Sequence, residues 1–219
     1  MRTKPIVNPT LRNPLSKGIK PVWNSKCKVL LLGSITAIDG MNKGFYYSSQ
    51  KNQLWTLLDY ALNLNPENKN SFTYLKSLLK QNYDNFFNEQ ITLQQFENSK
   101  QLIIEKFAKK LLSYKIAMCD VFKECYFNNN SSLDNEIILN NPNYPFITNK
   151  ETISEIINDS MVTTVVVNSK FVLEQFKKLN INGNYEIKYV ISPSPRRGAI
   201  STKVNNWKEV FNNFSLKND

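Results

Sequence analysis

The sequence predicts an α/β fold, a three-layer sandwich with a central, mostly parallel four-stranded sheet flanked by helices. Two observations carry that expectation. Residues 28–33 (KVLLLG), 115–121 (KIAMCDV) and 162–167 (VTTVVV) are short, nearly unbroken apolar runs, the pattern of strands covered on both faces. Between them lie stretches with apolar residues at helical spacing, such as Leu54, Leu57, Leu58, Ala61 and Leu62. Strands alternating with helices imply a parallel sheet with crossovers on its faces.

Taken in order, residues 1–25 are rich in Pro, Asn and Lys and read as an extended basic arm. Residues 26–219 form the domain proper. The first strand ends at Gly33 and opens into a loop over residues 34–44. An aromatic triplet, Phe45-Tyr46-Tyr47, precedes the helix over 52–64. Residues 66–90 are polar and aromatic and helical in part; the stretch 65–99 looks like an insertion. Residues 102–112 (LIIEKFAKKLL) form an amphipathic helix. After the second strand comes a polar loop with Ser131, Ser132 and Asp134. Helices over 150–159 and 170–179 enclose the third strand. A fourth strand over 185–191 ends in Ser192-Pro193-Ser194-Pro195, and a last helix holds Trp207 and Phe211.

Composition narrows the function. The 219 residues carry 28 Lys and Arg against 18 Asp and Glu, a net charge of +10, which favours an anionic partner. A merely soluble basic protein is the bland alternative. There is no histidine, which removes a Ser-His-Asp triad, a histidine base and a His-ligated metal together. The three cysteines, Cys27, Cys119 and Cys125, have no CxxC spacing and read as reduced, buried thiols. No run approaches the roughly 20 apolar residues of a membrane helix, and the basic arm lacks an apolar face. A soluble, intracellular monomer is expected, with DNA as partner and with no metal, cofactor or membrane.

Parallel sheets bind ligands at the carboxyl ends of their strands. Those ends here are residues 34–47, 120–134, 168–169 and 192–199. No GxGxxG or phosphate-binding P-loop stands at any of them.

The segment from Gly33 to Trp55 resembles the first motif region of the uracil-DNA glycosylase superfamily. It looks most like the mismatch-specific uracil/thymine and hypoxanthine-DNA glycosylase branches, with Gly33, Gly44, Tyr46, Tyr47, Asn52 and Trp55 in register. Met118–Val121 followed by Ser131, Ser132, Leu133 and Asp134 is similar to a second motif. Val165–Lys170 is similar to a third, and Ile191–Arg197 to the Pro/Ser loop that closes the domain. The resemblance spans roughly residues 18–210. It implies a monofunctional glycosylase that flips a base out of the duplex and hydrolyses its N-glycosidic bond.

That chemistry assigns candidates. Tyr47 matches the aromatic platform for the base, although any of Phe45, Tyr46 and Tyr47 can equally be core. Asp120 ends the second strand where relatives read the base edge; a cap on the next segment is the plain alternative. Asn168 ends the third strand, as base reader or turn residue. Ile35, Thr36 and Ser49 fall at further pocket positions. Ser192, Ser194, Arg196 and Arg197 supply hydroxyls and cations for the DNA backbone, or form an ordinary Pro-rich turn. The mismatch-specific branch positions its water with an asparagine where this chain has Ile35. Asp39 or Asn52 is then the expected catalytic group, with Asp39-Gly40 also readable as a turn pair. Two other functions compete: a DNA-binding member that has lost catalysis, and a basic protein-interaction domain.

Overall fold

The computed structural model describes residues 15–36, 40, 43–128 and 134–212. Four strands form the central sheet: β2 (Val29–Gly33), β3 (Ile116–Asp120), β6 (Thr164–Val167) and β7 (Glu186–Tyr189). Their order is β3-β2-β6-β7, and every pairing is parallel. The first three strands are buried along their whole length, as their unbroken apolar runs require. The edge strand β7 is mostly exposed and carries Glu186 and Lys188, charges that discourage pairing with another chain.

Side-chain alternation divides the core into two. Val29, Leu31, Ile116, Met118 and Val166 point to one face. They pack against Phe45, Tyr46 and four helices, α1 (Leu54–Ala61), α2 (Phe72–Phe87), α3 (Leu93–Ser113) and α6 (Ser201–Asn212). Leu30, Leu32, Ala117, Cys119, Val165 and Val167 point to the other face. They meet α4 (Lys150–Asp159) and α5 (Lys170–Leu179). The three layers expected from the sequence are therefore present.

A second sheet goes beyond the sequence reading. β1 (Leu15–Lys17), β4 (Phe122–Tyr126) and β5 (Ile147–Thr148) form a three-stranded antiparallel sheet in the order β1-β4-β5. β4 lies where the reading placed a polar loop. The pattern Phe122-Lys123-Glu124-Cys125 buries Phe122 and Cys125 while Lys123 faces solvent. β1 and Val22, which bridges to Met118, weave the end of the stretch read as an arm into the domain.

The stretch 65–99 forms α2 and the first turns of α3. Both helices have built starts. Ser71 caps α2, and the Asp59 carboxylate of α1 accepts the amides of Phe72 and Thr73 at 2.8 and 2.9 Å. Thr92 and Gln95 form a reciprocal capping box that opens α3 well ahead of residue 102.

Candidate functional site

The chain leaves β2 for β3 on one side and later crosses back to β6 on the other. The ends of β2 and β6 thus flank a topological switch point, where open parallel sheets leave a crevice. Polar side chains meet there and at the adjoining end of β3.

Asp120 is the last residue of β3 and is 2% exposed. The Thr36 hydroxyl donates to its Oδ2 at 2.8 Å, and the Thr36 amide also donates to the carboxylate. Thr36 is held in turn by its carbonyl, which accepts from Ser16 Oγ at 2.7 Å. Burial pushes the Asp120 carboxyl up to about 7; the two Thr36 donors oppose this, and the charge of Asp134 adds to it. Asp120 is therefore partnered within the site and does not cap the following segment.

Tyr47 adopts a left-handed backbone, φ +49°, a conformation that costs a non-glycine residue about 1 kcal/mol or more. The turn carries its phenol back over the sheet, where Asn168 Nδ2 donates to the hydroxyl at 2.6 Å. Burial first, and then the charge of Asp120, push the phenol well above its ordinary range. The other two aromatics of the triplet, Phe45 and Tyr46, are core.

Gly33 makes this convergence possible. A Cβ there would stand 2.4 Å from Asp120 Oδ1 and 2.5 Å from the Tyr47 hydroxyl. Only a residue without a side chain admits both oxygens at the strand end.

Asp134 links the two sides of the switch point. Ser34 Oγ donates to its Oδ1 at 2.5 Å, and Ser169 Oγ to its Oδ2 at 2.9 Å. Ser169 also accepts from the Val172 amide and so caps α5. Asn149 fixes the end of β3 by donating to the Asp120 carbonyl at 2.8 Å. Ser48, next to Tyr47, has a buried hydroxyl with no partner among the described residues. It lies by Thr36: a Cβ at Gly40 would meet Thr36 Cγ2 at 2.7 Å and Ser48 Oγ at 3.5 Å. A buried hydroxyl left open costs about 1–3 kcal/mol.

The structure thus brings Thr36, Tyr47, Asp120 and Asn168 together. Ile35 is buried in the apolar cluster with Cys119 and Val167. Asn52 uses its side-chain oxygen to accept the Leu54 amide at 2.9 Å at the start of α1. Ser49 is half-buried in the turn before it, where its carbonyl accepts the Asn52 amide. Asp39, Ser131 and Ser132 lie outside the described residues. On the closing loop, Arg196 and Arg197 are exposed in a short 3₁₀ turn, and the Ser192 hydroxyl accepts the Ser194 amide at 3.3 Å. Asp134 stood in a quoted motif without a role. Ser48 had no signal in the sequence beyond lying beside Tyr47.

No group of three potential metal ligands occurs among the described residues, and no described helix is long and apolar enough to cross a membrane.

The architecture recurs in a solved structure. The solution NMR structure of a Methanosarcina acetivorans protein, provisionally described as a uracil DNA glycosylase, matches with a TM-score of 0.59 at 20% identity. The match covers 91% of this chain and 98% of that one. At this identity the likeness shows a shared fold over nearly the whole of both chains. No family model matches the sequence, and no curated protein matches it.

Proposed function

We propose that this chain is a monofunctional DNA glycosylase that takes a deaminated, damaged or otherwise modified base out of the duplex and hydrolyses its bond to the sugar. One observation carries the reading: Asp120, Thr36, Tyr47 and Asn168 converge over Gly33 at the switch point of a parallel sheet. The net charge of +10 and the exposed Arg196 and Arg197 suit a polyanionic partner. The shared fold agrees with it.

Each residue then has a task. The Tyr47 ring stacks on the extruded base. Asp120 and Asn168 read its edge. When protonated, the Asp120 carboxyl offers a donor and an acceptor, the pair that complements the carbonyl and N–H of a uracil-like or hypoxanthine-like edge. Asp39 or Asn52 directs a water to the sugar C1′. The water oxygen bonds to C1′ as the C1′–N bond breaks. The bonding pair leaves with the base, which takes up a proton, and an abasic site remains. Ser192, Ser194, Arg196 and Arg197 hold the backbone.

A second reading has its own support. Ile35 is part of the apolar core, and the Asn52 side chain is engaged by the Leu54 amide just ahead of α1. A DNA-binding protein without catalysis would show both features. Incubation with duplexes carrying uracil, hypoxanthine or bulky modified pyrimidines, followed by alkali, decides between them. Strand breaks at the modified position support the glycosylase, and binding without breaks supports the second reading. If Asp39→Ala and Asn52→Ala both leave the cleavage rate unchanged, neither residue is the catalytic group. Binding that ignores salt would instead point to a protein-interaction domain.

A further inference from the structure

β3 and β4 are nearly one strand, parted only by Val121, and the run from Leu15 to Val22 accompanies both. β4 therefore projects past Asp120, beyond the carboxyl end of the central sheet. Phe122 and Tyr126 stand roughly 7 and 20 Å further on, at about 3.3 Å per residue. The return segment, residues 139–149 (LNNPNYPFITN), contains no charged side chain. It ends on Asn149, which holds the Asp120 carbonyl. Before that it surrounds an open cavity of about 330 Å³, lined by Leu139, Asn140, Asn141, Tyr144 and Phe146 together with two prolines. Ligand pockets begin at about 300 Å³.

The cavity has a stiff frame. Pro142 and Pro145 restrict the backbone of the turn. The Tyr144 amide donates to the Asn141 carbonyl and the Asn143 amide to Asn141 Oδ1, both at 3.0 Å. β4 steadies the two rings: Tyr126 meets Tyr144 edge-on at 5.3 Å, and Phe122 meets Phe146 edge-on at 5.7 Å. Phe146 is nevertheless 41% exposed, so an anchored ring still has apolar area to bury. Asn140 and Asn141, both exposed, add amide donors and acceptors beside it. With no charge in the lining, a phosphate or a carboxylate finds no partner there. The ligand that fits is a neutral, flat ring with amide-like edges, which is the chemistry of a nucleobase.

We propose that this cavity takes an unpaired base of the bound DNA, one that flanks the base held at Asp120 and is not itself excised. That the ring belongs to DNA rests on the function proposed above. The offset suits this source: roughly 7–20 Å is about two to six steps along a strand at 3.4 Å per nucleotide. A base inside the duplex has both faces covered by its neighbours, so only an unpaired one can offer a face to Phe146. The acid beside the cavity on β4, Glu124, is paired with Lys17 at 3.8 Å and so does not repel a DNA strand.

Fluorescence anisotropy of the full chain with two labelled DNAs tests this. Both carry a stable abasic-site analogue; one is fully paired, and the other has a short single-stranded stretch beside the analogue, made on each side in turn. Wild type should bind the partly single-stranded DNA more tightly by roughly 5- to 150-fold, the value of one base–aromatic stack. Phe146→Ala and Tyr144→Ala should each lose most of that preference and keep the affinity for the paired duplex. Phe146→Trp keeps a flat ring and should keep the preference. 2-Aminopurine placed at successive flanking positions should be quenched at one of them by wild type and not by Phe146→Ala. Equal affinity of wild type for the two DNAs, or a preference that survives both alanine variants, would overturn the proposal. Phe146→Ala, at an exposed position, decides the matter alone if Tyr144→Ala does not fold. Excision from the paired duplex is scored separately with a modified base in place of the analogue. Its absence removes the glycosylase reading while the preference still decides the cavity, and failure to bind any DNA removes both.

Discussion

Asn168 Nδ2 donates to the Tyr47 hydroxyl at 2.6 Å, tying the end of β6 to a loop that begins at β2. The contact spans 121 residues of sequence and holds the Tyr47 ring in a strained, left-handed turn. The two halves of the side chain separate by mutation. Tyr47→Phe keeps the ring and leaves the Asn168 amide without its acceptor, so stability should fall by about 1–3 kcal/mol. Excision should fall by less than about tenfold, because stacking survives. Tyr47→Ala removes the platform and should lower affinity for an extruded base by about 1–3 kcal/mol. Urea denaturation checks the first. Binding to duplexes that carry either a modified base or an abasic-site analogue checks the second, since only the former has a base to stack.

Gly33→Ala tests the convergence directly. The new methyl would stand 2.4 Å from Asp120 Oδ1 and 2.5 Å from the Tyr47 hydroxyl, so both side chains would have to give way. Overpacking of this kind costs about 1–3 kcal/mol. The strand itself tolerates alanine, so the fold should persist while base binding and excision are lost. A Gly33→Ala variant with wild-type excision would show that these two oxygens do not form the site.

Asp120 gives the stability a sign with pH. Its carboxyl titrates near 7 in the folded protein and near 4 when unfolded. Between those values the folded state holds more protons, so this group's contribution is full below about pH 4 and is lost as the pH rises through 7. Asp120→Asn cannot ionise, and its amide oxygen can still accept from Thr36. It should therefore be more stable than wild type at pH 8, by up to about 4 kcal/mol, with the difference shrinking toward pH 5. Thermal melts of both proteins at pH 5 and pH 8 read this. A gap that does not change with pH would remove Asp120 as the titrating group.

The sheet was legible because its central strands are buried on both faces, and that burial writes unbroken runs such as Val29–Gly33. β4 was not, because Lys123 and Glu124 interrupt it and its partner β1 lies over a hundred residues upstream. Only the second half of α3 was read as helix, since Phe96 is the sole buried residue in its first half. The Thr92–Gln95 capping box was the signal available. In the site, Asp120 and Asn168 could be named from position alone, because strand ends are where such sheets bind ligands. The Thr36–Asp120 bond, the span of Asp134 and the buried charge of Lys203 depend on tertiary approach, for which periodicity holds no information.

Asp134 offers the sharpest test of how the ends of β2 and β6 are held relative to each other. Its carboxylate accepts one hydroxyl from each side, Ser34 after β2 and Ser169 after β6. Asp134→Ala removes both bonds but leaves the Ser169 oxygen capping α5. Bonds to an ionised group at a half-buried site contribute about 2 kcal/mol together after solvent screening, so that loss is expected in urea titrations. Ser169→Ala breaks one of the two bonds and also removes the cap, worth about 1 kcal/mol. If the bridge sets the geometry of the site, Asp134→Ala should depress excision more than Ser169→Ala at comparable stability, because only the former frees both loops. Asp134→Asn can accept one hydroxyl and donate to the other, and should recover most of the activity. Equal losses in the two alanine variants would mean that α5 capping, and not the bridge, is what the site requires.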